Sequence, residues 1–453
     1  MRTVVAVLIA ALVLAWMAGG YVAAESPSPA ASLASAPAAQ PLPIPPPAPP
    51  PAPPVPAAPA VAPPAPPPPD AAPVAEAKPG DGTMFRSDAA HTGFYASPPI
   101  PTVQTKLWQV KTDDKVRSSA VGSRGVVFFG SNDDFLYAVD LGTGNPVWKF
   151  KAMKDIAATP AVSEGAVYAA SRDGRLYALS AAAGTPLWQF KAGSRINSSP
   201  TVADHIVFFG CDDKRLYAVS AETGAEKWRF KARKAILGSP AVADGTVFAC
   251  DEGGNLYALD AATGSEQWLF KTQKDVVGSP AVAEGIVYLG DDGGNLYAVD
   301  AASGQSKGLF KADGKIRTAP AIAGGILYLA TTSGRLYALE VEEARVKWDF
   351  QARDSIESSP SVAGGRVFFG SNDDHLYALD AATGQLQWKF KTGGNVRSSP
   401  AVLDGIVVFG SDDENVYALY GPTVPEAKAP VPPAPPPAPA VPPAGLVPPP
   451  PPR

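Results

Sequence analysis

The residue types that most often do chemistry are few in this chain and widely spaced. There are three histidines, His91, His205 and His375, and two cysteines, Cys211 and Cys250. Two cysteines exclude a disulfide scaffold and a Cys-cluster zinc site. Cys211 and Cys250 are 39 residues apart, so a single disulfide between them stays open for an exported chain, as does a pair of buried thiols. Acidic pairs recur at Asp133-Asp134, Asp212-Asp213, Asp291-Asp292, Asp373-Asp374 and Asp412-Asp413. Calcium takes six to eight oxygens, whereas a tight hairpin offers two or three, so these pairs read as turns. The net charge of −5 argues against a general nucleic-acid binder, which needs a basic face to neutralise phosphates.

The elements that would position such residues are set by an internal repeat. Leu-Tyr recurs from Leu136-Tyr137 to Leu376-Tyr377 in steps of 40 residues, and Val416-Tyr417 completes the series. Trp keeps the same step at Trp108, Trp148, Trp188, Trp228, Trp268, Trp348 and Trp388, with Gly308 standing where one more belongs. This makes eight units without an insertion. In Lys271 to Phe310 the sequence predicts four strands: Val276 to Val282, Ile286 to Gly290, Asn295 to Asp300, and a last one ending at Phe310. Short β-branched and aromatic runs separated by Glu-Gly and Ser-Gly turns are hairpin chemistry. Four strands at this period predict an all-β, eight-bladed β-propeller. The first Trp precedes the first Leu-Tyr and the last Tyr has no Trp after it. A strand at about 105–111 is therefore expected to complete the last blade and close the ring.

Within that frame the candidate residues acquire places. Each Trp should cover a seam between blades. His205 stands where other units have Gly165, Gly245 or Gly285, in a turn where positive φ is needed. His375 stands where others have Arg335 or Asn415, in an expected exposed turn, and all three histidines read as turn residues rather than ligands. Lys111, Lys151, Lys191, Lys231, Lys271, Lys311 and Lys391 end the outermost strands, where a charge discourages edge pairing. One position breaks the symmetry at the mouth of the central channel. It reads Arg117, Ala157, Asn197, Leu237, Val277, Arg317, Glu357 and Arg397 around the ring. Arg317, Glu357, Arg397 and Arg117 form one arc, either a self-neutralising network or an anchor for an acidic partner or ligand.

The ends differ in kind. Arg2 followed by the apolar run Val4 to Met17 and small residues at Val22-Ala23-Ala24 reads as an export signal over 1–24; a retained anchor over 3–24 is the alternative. Residues 25–79 are nearly all Ala, Pro, Ser and Val and cannot build a core, so they read as a disordered spacer. A lead-in over 80–104 then reaches the propeller at 105–421, and 422–453 is a second proline-rich tail.

The motif Ala-x-Asp-x-x-Thr-Gly-x-x-x-Trp, complete at Ala138 to Trp148, Ala258 to Trp268 and Ala378 to Trp388, resembles the pyrroloquinoline-quinone (PQQ) repeat. The lead-in Phe85-Arg86-Ser87-Asp88-Ala89-Ala90-His91-Thr92-Gly93 is similar to the entry segment of bacterial PQQ-like repeat proteins. Departures are Ser180 and Ser220 for the Asp, Gly308 for the Trp and Glu343-Ala344 for Thr-Gly. The resemblance spans about 84–420. It implies either a non-catalytic envelope scaffold, as in the barrel-assembly machinery of the outer membrane, or a quinoprotein alcohol dehydrogenase with PQQ and calcium over the ring axis. Such dehydrogenases often carry adjacent cysteines and long catalytic loops, and this chain has neither a Cys-Cys pair nor a break in its spacing. The expectation is therefore a monomeric periplasmic, secreted or cell-surface scaffold for a protein partner, with no catalytic, cofactor or metal residues. It would touch a membrane only if the N-terminal segment is retained. The alternatives are a PQQ-dependent oxidoreductase and a small-ligand sensor at the axis.

Overall fold

The computed structural model describes residues 83–97, 100, 105–343 and 345–421. The expected signal, spacer and C-terminal tail lie outside the described residues, as do part of the lead-in and Ala344. The chain divides into two units, Met1–Pro68 and Pro69–Arg453, and every described residue belongs to the second.

Eight antiparallel sheets follow one another along the chain, and no helix occurs among the described residues. Blade 5 is representative, with strands Ala281–Ala283, Ile286–Gly290, Asn295–Asp300 and Ser306–Lys311 paired in that order. The third and outer strands of every blade meet through a register shift beside the repeated Ala. Such a bulge strengthens local twist. The ring closes as expected: Thr105–Lys111 pairs antiparallel with Asn415–Tyr420 and supplies the outer strand of blade 8.

The innermost strand departs from expectation. It covers only Ala281–Ala283 rather than Val276 to Val282. Pro280 has no N–H to give a ladder. In the other seven blades the residue before the equivalent position turns its N–H around the ring instead. Ser119 N–H donates to Thr159 Oγ1, Thr159 N–H to Ser199 Oγ, and the chain of bonds continues through Ser239 to Ser279. It resumes from Ala319 through Ser359 and Ser399 and returns to Ser119. The only missing link is from Ser279 to Ala319, which has no hydroxyl.

The core lies between blades. In one seam, Phe128 and Leu136 of blade 1 pack on Ile156, Val167, Tyr177 and Leu179 of blade 2, and the same arrangement recurs around the ring. A blade thus buries both faces only through its neighbours.

Candidate functional site

Strand direction fixes which residues meet at the axis. Each inner strand runs from the residue before Ser-Ser-Pro toward the following turn, so all eight channel-mouth positions share one face. The structure brings all of them together around a cup of about 190 Å³, with Phe85 also in its wall.

The arc residues are paired within the molecule. Arg117 donates from Nε to Asp412 Oδ1 at 3.1 Å, and this bond is the main cause that raises its pKa. Arg317 Nη2 lies 2.7 Å from Asp292 Oδ2. That bond holds the Asp292 carboxyl below its usual range and raises the Arg317 pKa. Arg397 Nε donates to Asn372 Oδ1 at 3.1 Å and lies 3.6 Å from Glu357 and 3.7 Å from Asp412. Arg117 and Arg317 each meet an acidic turn of the blade before, whereas Arg397 lies between Glu357 of blade 7 and Asp412 of its own blade.

Those acidic turns also have an internal role. Tyr137 Oη donates to Asp133 at 2.7 Å, Tyr177 to Asp173, Tyr257 to Asp251 and Tyr417 to Asp413. The Tyr of the repeated Leu-Tyr therefore serves the turn of its own blade. The outer-strand lysines do likewise: Lys191 donates to Asp173 O at 2.5 Å, and Lys271 and Lys311 bond Gly253 O and Gly293 O.

The sequence did not foretell what the lead-in does. It enters the ring from the face opposite the cup and runs across the inner strands of six successive blades. Val162 N–H donates to Thr83 O, Val242 to Ala89 O, Val282 to Ala90 O, Ile322 to Thr92 O and Val362 to Gly93 O, at 2.7–2.9 Å. Val202 N–H meets Met84 Sδ at 3.5 Å. Phe94–Tyr95 then pairs in parallel with Ser361–Ala363 of blade 7.

Two buried polar side chains anchor this plug. Arg86 donates to the carbonyls of Pro360 and Pro320, and burial lowers its pKa to about 10. A Cβ at Gly93 would lie 2.0 Å from Arg86 Nη2, so only glycine fits there. His91 is wholly buried, with Nδ1 3.2 Å from Pro280 O and Nε2 3.2 Å from Thr201 Oγ1. The carbonyl can only accept, so Nδ1 carries the proton. Burial pushes the His91 pKa down to about 3, against the raising effect of that carbonyl bond, and the Arg86 charge lowers it further. His91 takes positive φ (61°), yet it is an axial anchor rather than an ordinary turn residue. The six inner-strand N–H groups had no partner assigned from sequence, and that open account was the available signal.

The other singled-out residues fall as follows. His205 has φ 59° in its turn. His375 is not in an exposed turn. It opens the third strand His375–Asp380, with its side chain 12% exposed and its ring against Asp373, because the turn ends one residue earlier at Asp374 (φ 67°). The Cys211–Cys250 disulfide is not formed. Both thiols are free and buried. Cys211 faces the seam between blades 2 and 3 and Cys250 the seam between blades 4 and 5, so the one-residue offset turns them away from each other. Burial raises the Cys211 thiol to about 12 and pushes Cys250 up as well.

Six tryptophans bridge seams in one way. The indole N–H of Trp108, Trp148, Trp188, Trp228, Trp268 and Trp348 donates to the carbonyl of Leu141, Ala181, Ala221, Ala261, Ala301 and Ala381, at 2.7–3.1 Å. Trp388 packs at the seam between blades 7 and 8, and its Nε1 has no partner.

A PQQ-repeat family model, described as outer membrane protein assembly factor BamB, matches residues 102–211, 172–308 and 306–423. The chain belongs to this family. No curated protein gives a significant match. Among solved structures, the chain is similar to BamB from Moraxella catarrhalis, at 18% identity and TM-score 0.62 over 71% of this chain and 98% of that one. A europium-containing methanol dehydrogenase gives 14% identity and TM-score 0.69 over 76% and 98%. The computationally designed Ika8 protein gives 18% and 0.64 over 70% and 99%. These identities carry the fold alone, and that fold is shared by an assembly factor, an enzyme and a design.

Proposed function

We propose that this chain is a non-catalytic propeller scaffold that mediates protein–protein interaction in the bacterial cell envelope. The observation that carries the reading is the state of the ring axis. The chain's own lead-in fills one mouth. The other is a cup of about 190 Å³ whose arginines are paired internally. Ordinary small-molecule pockets measure roughly 300–1,000 Å³. Among the described residues no three His, Cys, Asp or Glu side chains come together to hold a metal. These axial residues do not fit a quinone with its calcium ion. Membership in a family described as an assembly factor supports the scaffold reading. A rigid ring loses little ordering entropy when it binds, which suits presentation of loop rings to a protein.

The test has two arms. Equilibrium dialysis of the purified protein against PQQ, with and without calcium, is expected to give no binding up to about 100 µM, an affinity near 5.5 kcal/mol. Submicromolar, calcium-dependent binding overturns the reading. In-cell crosslinking followed by mass spectrometry is expected to return the same envelope protein in replicate experiments. Crosslinks that only scatter over abundant proteins count against a scaffold.

A further inference from the structure

The seam between blades 5 and 6 differs from six of the others in one missing side chain. In those six seams an indole lies tilted on, or packed beside, the second-strand side chains of its own blade. Ring centroids are 5.6 Å apart for Phe128–Trp148 and 5.7 Å for Tyr168–Trp188. The indole N–H then reaches the carbonyl 33 residues on, in the next blade. In blade 5 the Trp is replaced by Gly308, while the surrounding parts remain. Tyr288 occupies the stacking position, and Val341 is the residue 33 positions on. A Cβ built at Gly308 meets nothing within 4 Å. The space left is an apolar cavity of about 330 Å³ lined by Tyr288, Leu296, Leu327, Leu339 and Val341. Five of the six corresponding tryptophans are half-buried, Trp108 being the buried one, so this cavity opens to solvent.

We propose that the cavity between blades 5 and 6 binds an indole group. The site keeps a flat apolar slot, an aromatic floor and the backbone position that accepts an indole N–H elsewhere. The same protein shows six times which shape and donor fill such a slot. Burial of an aromatic ring with its polar tip satisfied is the favourable arrangement for this group. The inference does not depend on what the ring axis does.

Isothermal titration of the full chain with free indole tests it. One site per chain is expected, with a dissociation constant below about 1 mM, the range open to so small a ligand. In the other seams the turn glycine touches the indole, as for Gly184, whose Cβ would lie 2.5 Å from Trp148. The sequence has Ala344 at the matching position. The filled control is therefore Gly308→Trp with Ala344→Gly, which should weaken binding at least tenfold and raise the melting temperature. Trp148→Gly should add a second indole site and leave the first, which also reports folding. Indene, which lacks the N–H, should bind at least fivefold more weakly. N-acetyl-tryptophanamide separates the sources. Binding equal to indole assigns the site to a partner's Trp side chain, and binding of free indole alone assigns it to a small molecule. The proposal is overturned by the lack of saturable binding of either probe up to about 5 mM, or by unchanged affinity in the filled variant.

Discussion

His91 makes the axial plug sensitive to acid, and the size of the effect follows from its surroundings. Docked, the imidazole is neutral with a pKa lowered to about 3 from 6.5. Detached, it takes a proton at about 6.5. A histidine held neutral in the folded state stabilises fully above the detached pKa. That contribution is lost as pH falls from about 6.5 toward about 3. Between pH 7.5 and pH 5.0 the loss amounts to about 1.5 pH units, or roughly 2 kcal/mol. Detachment should then be about 30-fold more frequent at the lower pH. Amide hydrogen exchange reads it directly, because the N–H groups of Val242, Val282, Ile322 and Val362 are covered only while the lead-in is bound. After correction for intrinsic exchange, their protection should fall by about that factor. In His91→Asn, which keeps a donor for Pro280 O but cannot titrate, the fall should be absent although overall protection is lower. Equal pH dependence in the two proteins would falsify the account of His91 as a buried neutral anchor.

The remaining predictions concern the seams. Ala319→Ser supplies the missing hydroxyl for Ser279 N–H and should stabilise the ring by about 1 kcal/mol, read as a higher melting temperature; a lower one counts against the hydroxyl ring as a stabilising feature. Trp148→Ala removes a half-buried indole and its bond to Ala181 O and should cost about 2–3 kcal/mol, the low side of the range for such truncations, measured by denaturant unfolding. Deleting 105–111 leaves blade 8 without its outer strand and should open the ring, seen as a lower melting temperature and a larger hydrodynamic radius. Cys211 and Cys250 should resist thiol reagents in the folded protein, since both are buried with raised pKa values; rapid labelling without denaturant would contradict their placement.

Much of the architecture was legible because the repeat is a local pattern. A 40-residue step, turn glycines and the Trp series specify strands through backbone preference and hairpin chemistry. These depend on neighbours a few residues away. The third and second strands of blade 5 match their expected limits for this reason. The inner strand did not, because Pro280 has no N–H for its own hairpin, and in other blades the residue before the proline bonds the next blade. That competition is invisible until the ring exists. The arc at the channel mouth was legible as a set of positions, since repeat register alone puts them on one face. Its pairing was not, because Asp412 is 295 residues from Arg117 along the chain.

By itself the sequence determined the number of blades, the point of closure and the seam that lacks its indole. Each of these is a matter of counting in a regular lattice, where one register assigns every face. Only the tertiary structure decided that Phe85 to Tyr95 plugs the axis, that Arg86 and His91 are its buried anchors, and that Gly308 leaves a cavity rather than a collapsed seam. The physical reason is the same in each case. A circle of inner strands presents N–H groups and carbonyls toward one line. What satisfies or fills that space depends on all the blades at once, not on any one repeat.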